Sequence, residues 1–499
     1  MKLPTLNKLV FLCAIAVSIF TAVPIQAAIY AEGDWVDYNN FRYITSVAAD
    51  QNVVYFGTTG GVIRYDRYSR SWLNPLTDID GLPSNNIRRL AYDSDYNNLW
   101  IDTDRGAGRY NVNFESWYTD NNFPNDKVIN DWNPSQYRTL FMPFEYDYAE
   151  GYVSDPNMRR YTITVGYEDD FDGVMYVGTW GLGTATINTR FYDYQLMNYG
   201  PYSRDISKVV KIGETLWLGT SLGSGESAIT SYDINTNSWE YYEPTFIFGL
   251  NNTEITSGTN SGNYIWLGTT DGLIRIENDQ RFKTYNNMPN LYSTDISSVA
   301  EYGGFLYLGT DDGMAILPPT GEVPDSLFKS PLPDNFLLHG QRINDLCVFK
   351  DVLYIATDNS VYSFNSTEHQ FRELDTPSSD LAWGANDIFA DGTNIYFAAQ
   401  LGVVIVNPET DSSSTVTASI FASTWVINEL YADSRLIWAA TDVGLWKYRK
   451  SDGHTYLYTM ADGLPVNKVN SIAVDGDYFW LGTSRGLVRF LWNASGRGD

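Results

Sequence analysis

The sequence predicts an all-β protein, a β-propeller of four-stranded blades assembled from ten repeat units. Three observations carry this. First, the stretch Ile265–Ile276, IWLGTTDGLIRI, alternates apolar residues on either side of Thr-Asp-Gly, the pattern of a β-hairpin with a tight turn. Second, the hairpin recurs, closely at Val54–Tyr65, Leu306–Leu317, Ile437–Tyr448 and Phe479–Phe490, and more loosely from Leu99, Met175, Leu216, Leu353 and Ile395. Third, its aromatic anchors (Tyr55, Trp100, Tyr176, Trp217, Trp266, Tyr307, Tyr354, Tyr396, Trp438 and Trp480) mostly stand 41 to 49 residues apart, with one step of 76. A fixed period near 42 with β content is the signature of a repeat ring, which absorbs 499 residues in one array.

Each hairpin has the same neighbours. Before it comes a short strand, Ile-(Asn/Ser/Thr)-x-apolar, beginning at Ile44, Ile87, Ile129, Ile206, Ile255, Ile296, Ile343, Ala385, Ile427 and Val469. After it come a polar turn and an aromatic strand such as NTNSWEYY (Asn235–Tyr242). Four strands per repeat make a propeller blade, here lettered a to d from the inside outwards. The last copy stops after its third strand, whereas Asp34–Phe41 (DWVDYNNF) precedes the first a strand and matches Asn237–Glu243 in placing Trp35 where Trp239 falls. Asp34–Phe41 is therefore expected to pair with Leu487–Trp492 and close the ring, hiding two sheet edges. Ten blades make either a single ten-bladed ring or two smaller rings.

The 76-residue step is read as an insertion. An a-type strand Ile129–Trp132 comes on time, and Thr139–Tyr148 and Arg159–Asp169 flank a turn-rich middle, so residues 133–172 read as a hairpin inserted in blade three. Pro318–Asn335 reads as a surface loop between blades six and seven. At the other end of the chain, Met1–Ala27 reads as a secretory signal with Lys2 and Lys8 ahead of the apolar run Leu9–Val23, leaving 28–499 as the propeller. Pro24 and Gln26 close that run before it reaches membrane-spanning length, so a periplasmic or secreted protein without membrane insertion is expected. Cys13 leaves with the leader and Cys347 stays alone in a strand pattern, a buried inert thiol rather than half of a disulfide.

Net charge is −27, and about −29 without the leader's lysines, which repels nucleic acid and anionic lipid. The three histidines, His339, His369 and His454, fall in loops or outer strands with no spacing for zinc or for a nucleophile–base pair. The Asp271, Asp311-Asp312 and Asp442 turns lack the alternating acidic loop of an EF-hand and read as turn formers. No metal, cofactor or catalytic group is assigned, and no enzyme activity is expected.

The unit (apolar)-Trp-(apolar)-Gly-Thr-x-x-Gly-Leu-x-Arg, at Trp266–Arg275 and Trp480–Arg489, with DGLP before an a strand at Asp80–Pro83 and Asp462–Pro465, resembles the two-component regulator propeller repeat. The resemblance covers nearly all of the mature chain. It implies a periplasmic, sensor-type propeller that detects carbohydrate or other ligands, here without the histidine kinase part, since no transmembrane helix or further domain follows.

Residues that recur in register serve packing; those that break register are the candidates for binding. Trp180 replaces a small or polar residue in a b–c turn, Trp383 and Trp425 stand just before their a strands, and Arg105 and Arg485 occupy b–c turns. The second residues of the a strands, Thr45, Arg88, Asn130, Ser207, Thr256, Ser297, Asn344, Asn386, Asn428 and Asn470, are expected to line the channel. The ligand site is accordingly assigned to Trp180, Trp383, Trp425, Arg105, Arg485 and Arg88, on the face where b–c and d–a loops emerge, taking a glycan, a peptide or an envelope protein. A propeller polysaccharide lyase or hydrolase, and a structural subunit of an envelope or secretion assembly, are the alternatives. The sequence sets no oligomeric state.

Overall fold

In the computed structural model, residues 34–494 are described except for 121, 129–151, 170–172, 189–192, 222–226, 252, 278–280, 287–292, 319–337, 367–369, 375–379 and 418–425. The signal segment, Trp425 and the Ile129–Trp132 strand lie outside the described residues. Ten antiparallel sheets run a-b-c-d: nine carry four strands or more, and blade six shows its first three. Blade ten takes its fourth strand from the N-terminus, Trp35–Tyr38, which pairs Gly486–Leu491 in the register Trp35↔Phe490 to Tyr38↔Leu487. The expected closure is therefore present. Trp35 stacks on Phe490 at 3.8 Å between ring centroids.

The repeat's grammar has a physical cause at each position. The Thr hydroxyl of Gly-Thr-x-x-Gly donates to the glycine carbonyl three residues on, as Thr269 does to Gly272 at 2.9 Å and Thr483 to Gly486 at 2.9 Å, satisfying a buried polar group inside the turn. The glycine before that threonine is a hole for the next blade. A Cβ on Gly57 would stand 2.7 Å from Ile87, on Gly268 2.8 Å from Ile296, and on Gly309 2.6 Å from Ile343, each the first residue of the following a strand. Blades seven, eight and nine use buried alanines there, Ala356, Ala398 and Ala440, which share core clusters with Ala385, Ile427 and Val469. Where a gap is present, the neighbouring blade presses the first residue of its a strand into it, a branched residue everywhere except at Ala385.

These contacts fix the arrangement of the ten blades. The a strands of blades four to ten touch in sequence, and Val469–Asp475 of blade ten returns to Ile206–Ile212 of blade four, closing a ring of seven. Gly482 of blade ten receives Ile206 at this closure. Blades one to three form a separate arc. Of the two expected arrangements, the single ten-bladed ring is thereby replaced by a smaller ring with a second group of blades beside it.

The arc departs from chain order. Blade three's a strand is Arg160–Asp169, which pairs Val174–Thr179; the half of 133–172 read as an insertion flank takes the place that periodicity had given to Ile129–Trp132. Its Ile163-Thr164-Val165 carries the same register shift as the other a strands, and Thr164 donates to the Ile44 carbonyl at 3.1 Å. Blade three therefore packs on blade one, and blade one on blade two. Tyr38, Phe41, Trp72, Tyr199, Trp239 and Trp480 share one cluster that joins the arc to blades four and ten of the ring.

Blade two alone breaks the knob-and-hole rule. Its Gly position is Asp102, which accepts two hydrogen bonds from Arg89 of its own a strand, at 3.0 and 2.6 Å. Its anchor Trp100 is only half-buried, capped by Arg109 at 5.8 Å, whereas the other nine anchors are buried. Among the described residues, no further blade seats on this face.

Two substitutions separate a hole from its absence. Gly268→Asp drives a carboxylate into Ile296 and is expected to destabilise by about 3–5 kcal/mol. Asp102→Gly loses only a partly exposed ion pair, about 0–1 kcal/mol. Urea denaturation followed by tryptophan fluorescence checks both, and equal costs would refute the packing rule.

Candidate functional site: the mouth of the seven-bladed ring

Every a strand of the ring except that of blade eight carries a register shift after its first residue, as between Ile206 and Lys208, Ile343 and Asp345, or Val469 and Ser471. A bulge at this point turns two consecutive side chains out of strict alternation. The second residue turns to the channel and reaches the next blade. Thr256 donates to the Ile296 carbonyl (2.5 Å), Ser297 to Ile343 (2.5 Å), Asn344 to Ala385 (2.9 Å), Asn428 to Val469 (2.8 Å) and Asn470 to Ile206 (2.8 Å). The third residue accepts the N–H of the next blade's fourth: Ser257 from Val299, Ser298 from Leu346, Asp345 from Ile388, Asp387 from Leu430, Glu429 from Ile472 and Ser471 from Val209. At the seventh step the third residue is Lys208, which has no lone pair to offer; its ammonium instead crosses to Glu429 at 2.9 Å.

The mouth above this belt is a cavity of about 480 Å³. All seven second residues line it, Ser207, Thr256, Ser297, Asn344, Asn386, Asn428 and Asn470, as their spacing implied. Its rim comes from two repeat positions: the residue before each a strand (Glu254, Asp295, Arg342 and Lys468) and the first turn residue after the b-strand threonine (Ser221 and Thr270). The variable turn of the Ile265–Ile276 hairpin thus opens onto the mouth.

Burial sets the charge states below. It pushes the Asp387 carboxyl well above its ordinary range, and the neighbouring Asp345 and Glu429 push it further. Burial also raises Asp345, against the pull of Lys208 and two backbone N–H groups. For Lys208, burial favours the neutral amine, but Glu429 and Asp387 outweigh it and hold the ammonium above its ordinary value. At the rim, burial raises Asp295 against Arg342.

The third residues went unassigned in the sequence, although two polar residues in succession inside a strand were the visible sign of the bulge. The residues that were assigned divide. Trp383 is 73% exposed in the connection just before Asn386, and Gly384 beside it abuts the Asp358 turn of blade seven. Arg485 donates to both Asp78 oxygens, at 3.0 and 2.8 Å, and to the Pro465 carbonyl, so it ties blade ten to the arc. Trp180 is 55% exposed and packs edge-on against Tyr43 in the arc. Arg88 and Arg105 come together beside Asp104 in blade two, where Ser84's hydrogen bond first, and then these cations, hold that carboxyl below its ordinary range. Trp425 is not described. His339 and His454 are exposed, away from the mouth, and among the described residues no cluster of His, Cys, Asp and Glu could hold a metal.

A second cavity of about 440 Å³ lies between blades three and four, walled by Tyr161, Tyr202, Tyr241, Tyr242 and Phe246. Its cations are engaged from within: Arg159 bridges Asp155 and Glu243, and Arg42 lies 3.5 Å over the Tyr202 ring while donating to the Gly181 carbonyl. It is a joint between arc and ring.

No protein-family model matches the chain, and no curated protein matches it. Similar solved structures include PorZ, an essential bacterial surface component of the type-IX secretion system of Porphyromonas gingivalis (12% identity, 91% of this chain and 69% of that chain, TM-score 0.48). They include the extracellular domain of a putative hybrid two component system from B. thetaiotaomicron (14% identity, 91% and 70%, TM-score 0.36) and that of a putative one component system from the same organism (14%, 90% and 70%, TM-score 0.34).

The belt makes stability depend on pH. A carboxyl raised in the fold contributes stability in acid that is lost as pH rises through its folded value. Asp387→Asn keeps an acceptor for Leu430 and removes the buried charge. It is expected to raise the melting temperature at pH 8 and to change it little at pH 4, as thermal denaturation at the two pH values will show.

Proposed function

We propose that this chain is an exported, non-enzymatic propeller that binds a ligand, peptide or glycan, or a partner protein at the mouth of its seven-bladed ring. One observation carries the reading. The positions that vary while the packing grammar stays constant, the second residues and the two rim positions, converge on this one cavity. A shaped, polar-lined concavity over a rigid belt is what a recognition site requires. Export rests on the leader at Met1–Ala27. No helix among the described residues is long and apolar enough to cross a membrane.

A second reading, a docking subunit of an envelope assembly, is favoured by Phe248, which is fully exposed on the connection between blades four and five, with Phe246 beside it 39% exposed. The two readings separate experimentally. The mature protein is screened against glycan and peptide arrays and envelope extracts, and the hits are measured by calorimetry. Thr270→Trp, which fills the rim, and Trp383→Ala are expected to weaken binding at least tenfold with unchanged melting temperature. Binding that survives both and disappears in Phe248→Ala would move the site off the mouth.

A further inference from the structure

Resting on that reading of the mouth, we infer that its ligand is a cationic donor: a lysine- or arginine-bearing peptide segment whose ammonium or guanidinium enters the ring. The argument is one of hydrogen-bond polarity. An amide side chain has two N–H donors and one oxygen with two lone pairs. Both donors of Asn344 are used, by the Ala385 carbonyl and by Asp358 at 2.9 Å. Both donors of Asn428 are used likewise, by the Val469 carbonyl and by Asp442 at 3.3 Å. Turning either amide over would set its oxygen against two oxygens, so the orientation is fixed. The hydroxyl protons of Thr256 and Ser297 are spent on the Ile296 and Ile343 carbonyls. What these side chains have left to offer is oxygen.

The charges agree. Two cations at the mouth already face carboxylates, Lys208 with Glu429 at 2.9 Å and Lys468 with Asp442 at 3.4 Å, and the charge of Arg342 acts on Asp295 across the rim. Glu254 adds a further carboxylate to the lining. An incoming anion would meet the lone pairs of Asn344, Asn428, Thr256 and Ser297 and the carboxylates of Glu254 and Asp295, with donors left to it only at Ser207, Asn386, Asn470 and Arg342. A neutral polyol would find acceptors for its hydroxyl protons and few donors for its oxygens. A group made only of donors meets these four fixed acceptors and the rim carboxylates without a mismatch. The cavity of about 480 Å³ holds one such side chain with its neighbouring backbone.

The probe is a Gly-Lys-Gly-Lys-Gly peptide with blocked ends, titrated calorimetrically at 150 mM salt against its lysine-acetylated twin and against maltohexaose. Because the whole surface is acidic, Glu115→Gln/Asp126→Asn on the arc, which also removes two charges, serves as a charge-matched control. Saturable binding of the lysine peptide is expected, weakened at least tenfold by acetylation and by the double substitution Glu254→Gln/Asp295→Asn, and unchanged in Glu115→Gln/Asp126→Asn. Equal binding of the acetylated peptide, or equal loss in the control, would overturn the inference. Maltohexaose bound at the mouth and blocked by Thr270→Trp, with no lysine-peptide binding, would overturn the cation and leave the mouth as the site. Retention of lysine-peptide binding in Thr270→Trp would overturn both.

Discussion

The structure depends on one contact repeated between blades: the first residue of an a strand, branched except at Ala385, seated in the gap that the adjoining blade leaves by having Gly or Ala there. A β-sheet blade is apolar on both faces and has to be covered on both, and a wedge of knobs into holes sets how closely neighbours approach. Around blades four to ten the rule is satisfied seven times and returns on itself, with Gly482 taking Ile206. The stacking Trp and Tyr anchors then fill the space outside the knobs, which is why they are buried wherever a next blade exists.

The bulge beside each knob links packing to recognition. Six of the seven third residues accept a backbone N–H of the next blade, so the belt is held laterally by hydrogen bonds rather than by a continuous sheet. That satisfaction is what makes buried Asp387 and half-buried Asp345 and Glu429 tolerable, with a single ammonium placed where the lateral chain has no acceptor. Rigidity below and variability above are consequences of the same bulge.

Much of this was legible in the sequence, because a repeat states each rule ten times. The period, the four strands, the Trp35 closure and the seven channel-lining second residues could all be read from alignment of the chain with itself. The division into ring and arc could not. It depends on which gap receives which knob, and every copy offers nearly the same pair. The strand at Ile129 was matched by its Ile-Asn-x-apolar pattern and its spacing, while Ile163 carried the working pattern twelve residues ahead of the hairpin copy that begins at Met175. Arg485 looked like a loop cation open to a ligand, but its partner Asp78 lies 407 residues away in the sequence, in another group of blades, a pairing that no local pattern reports.

Asp102 shows what happens where the rule is switched off. A tandem array has no intrinsic end; any blade with a vacant gap invites another, whether from its own chain or from a stranger's. At blade two the vacancy is plugged with charge, and Arg89 and Arg109 lie over the surface that elsewhere would be glued to a neighbour. The arc consequently carries its own terminator. Among the described residues, one carboxylate in a row of glycines and alanines leaves this face without a following blade, and with it sets the polarity along which the arc can be read, from blade three through blade one to blade two.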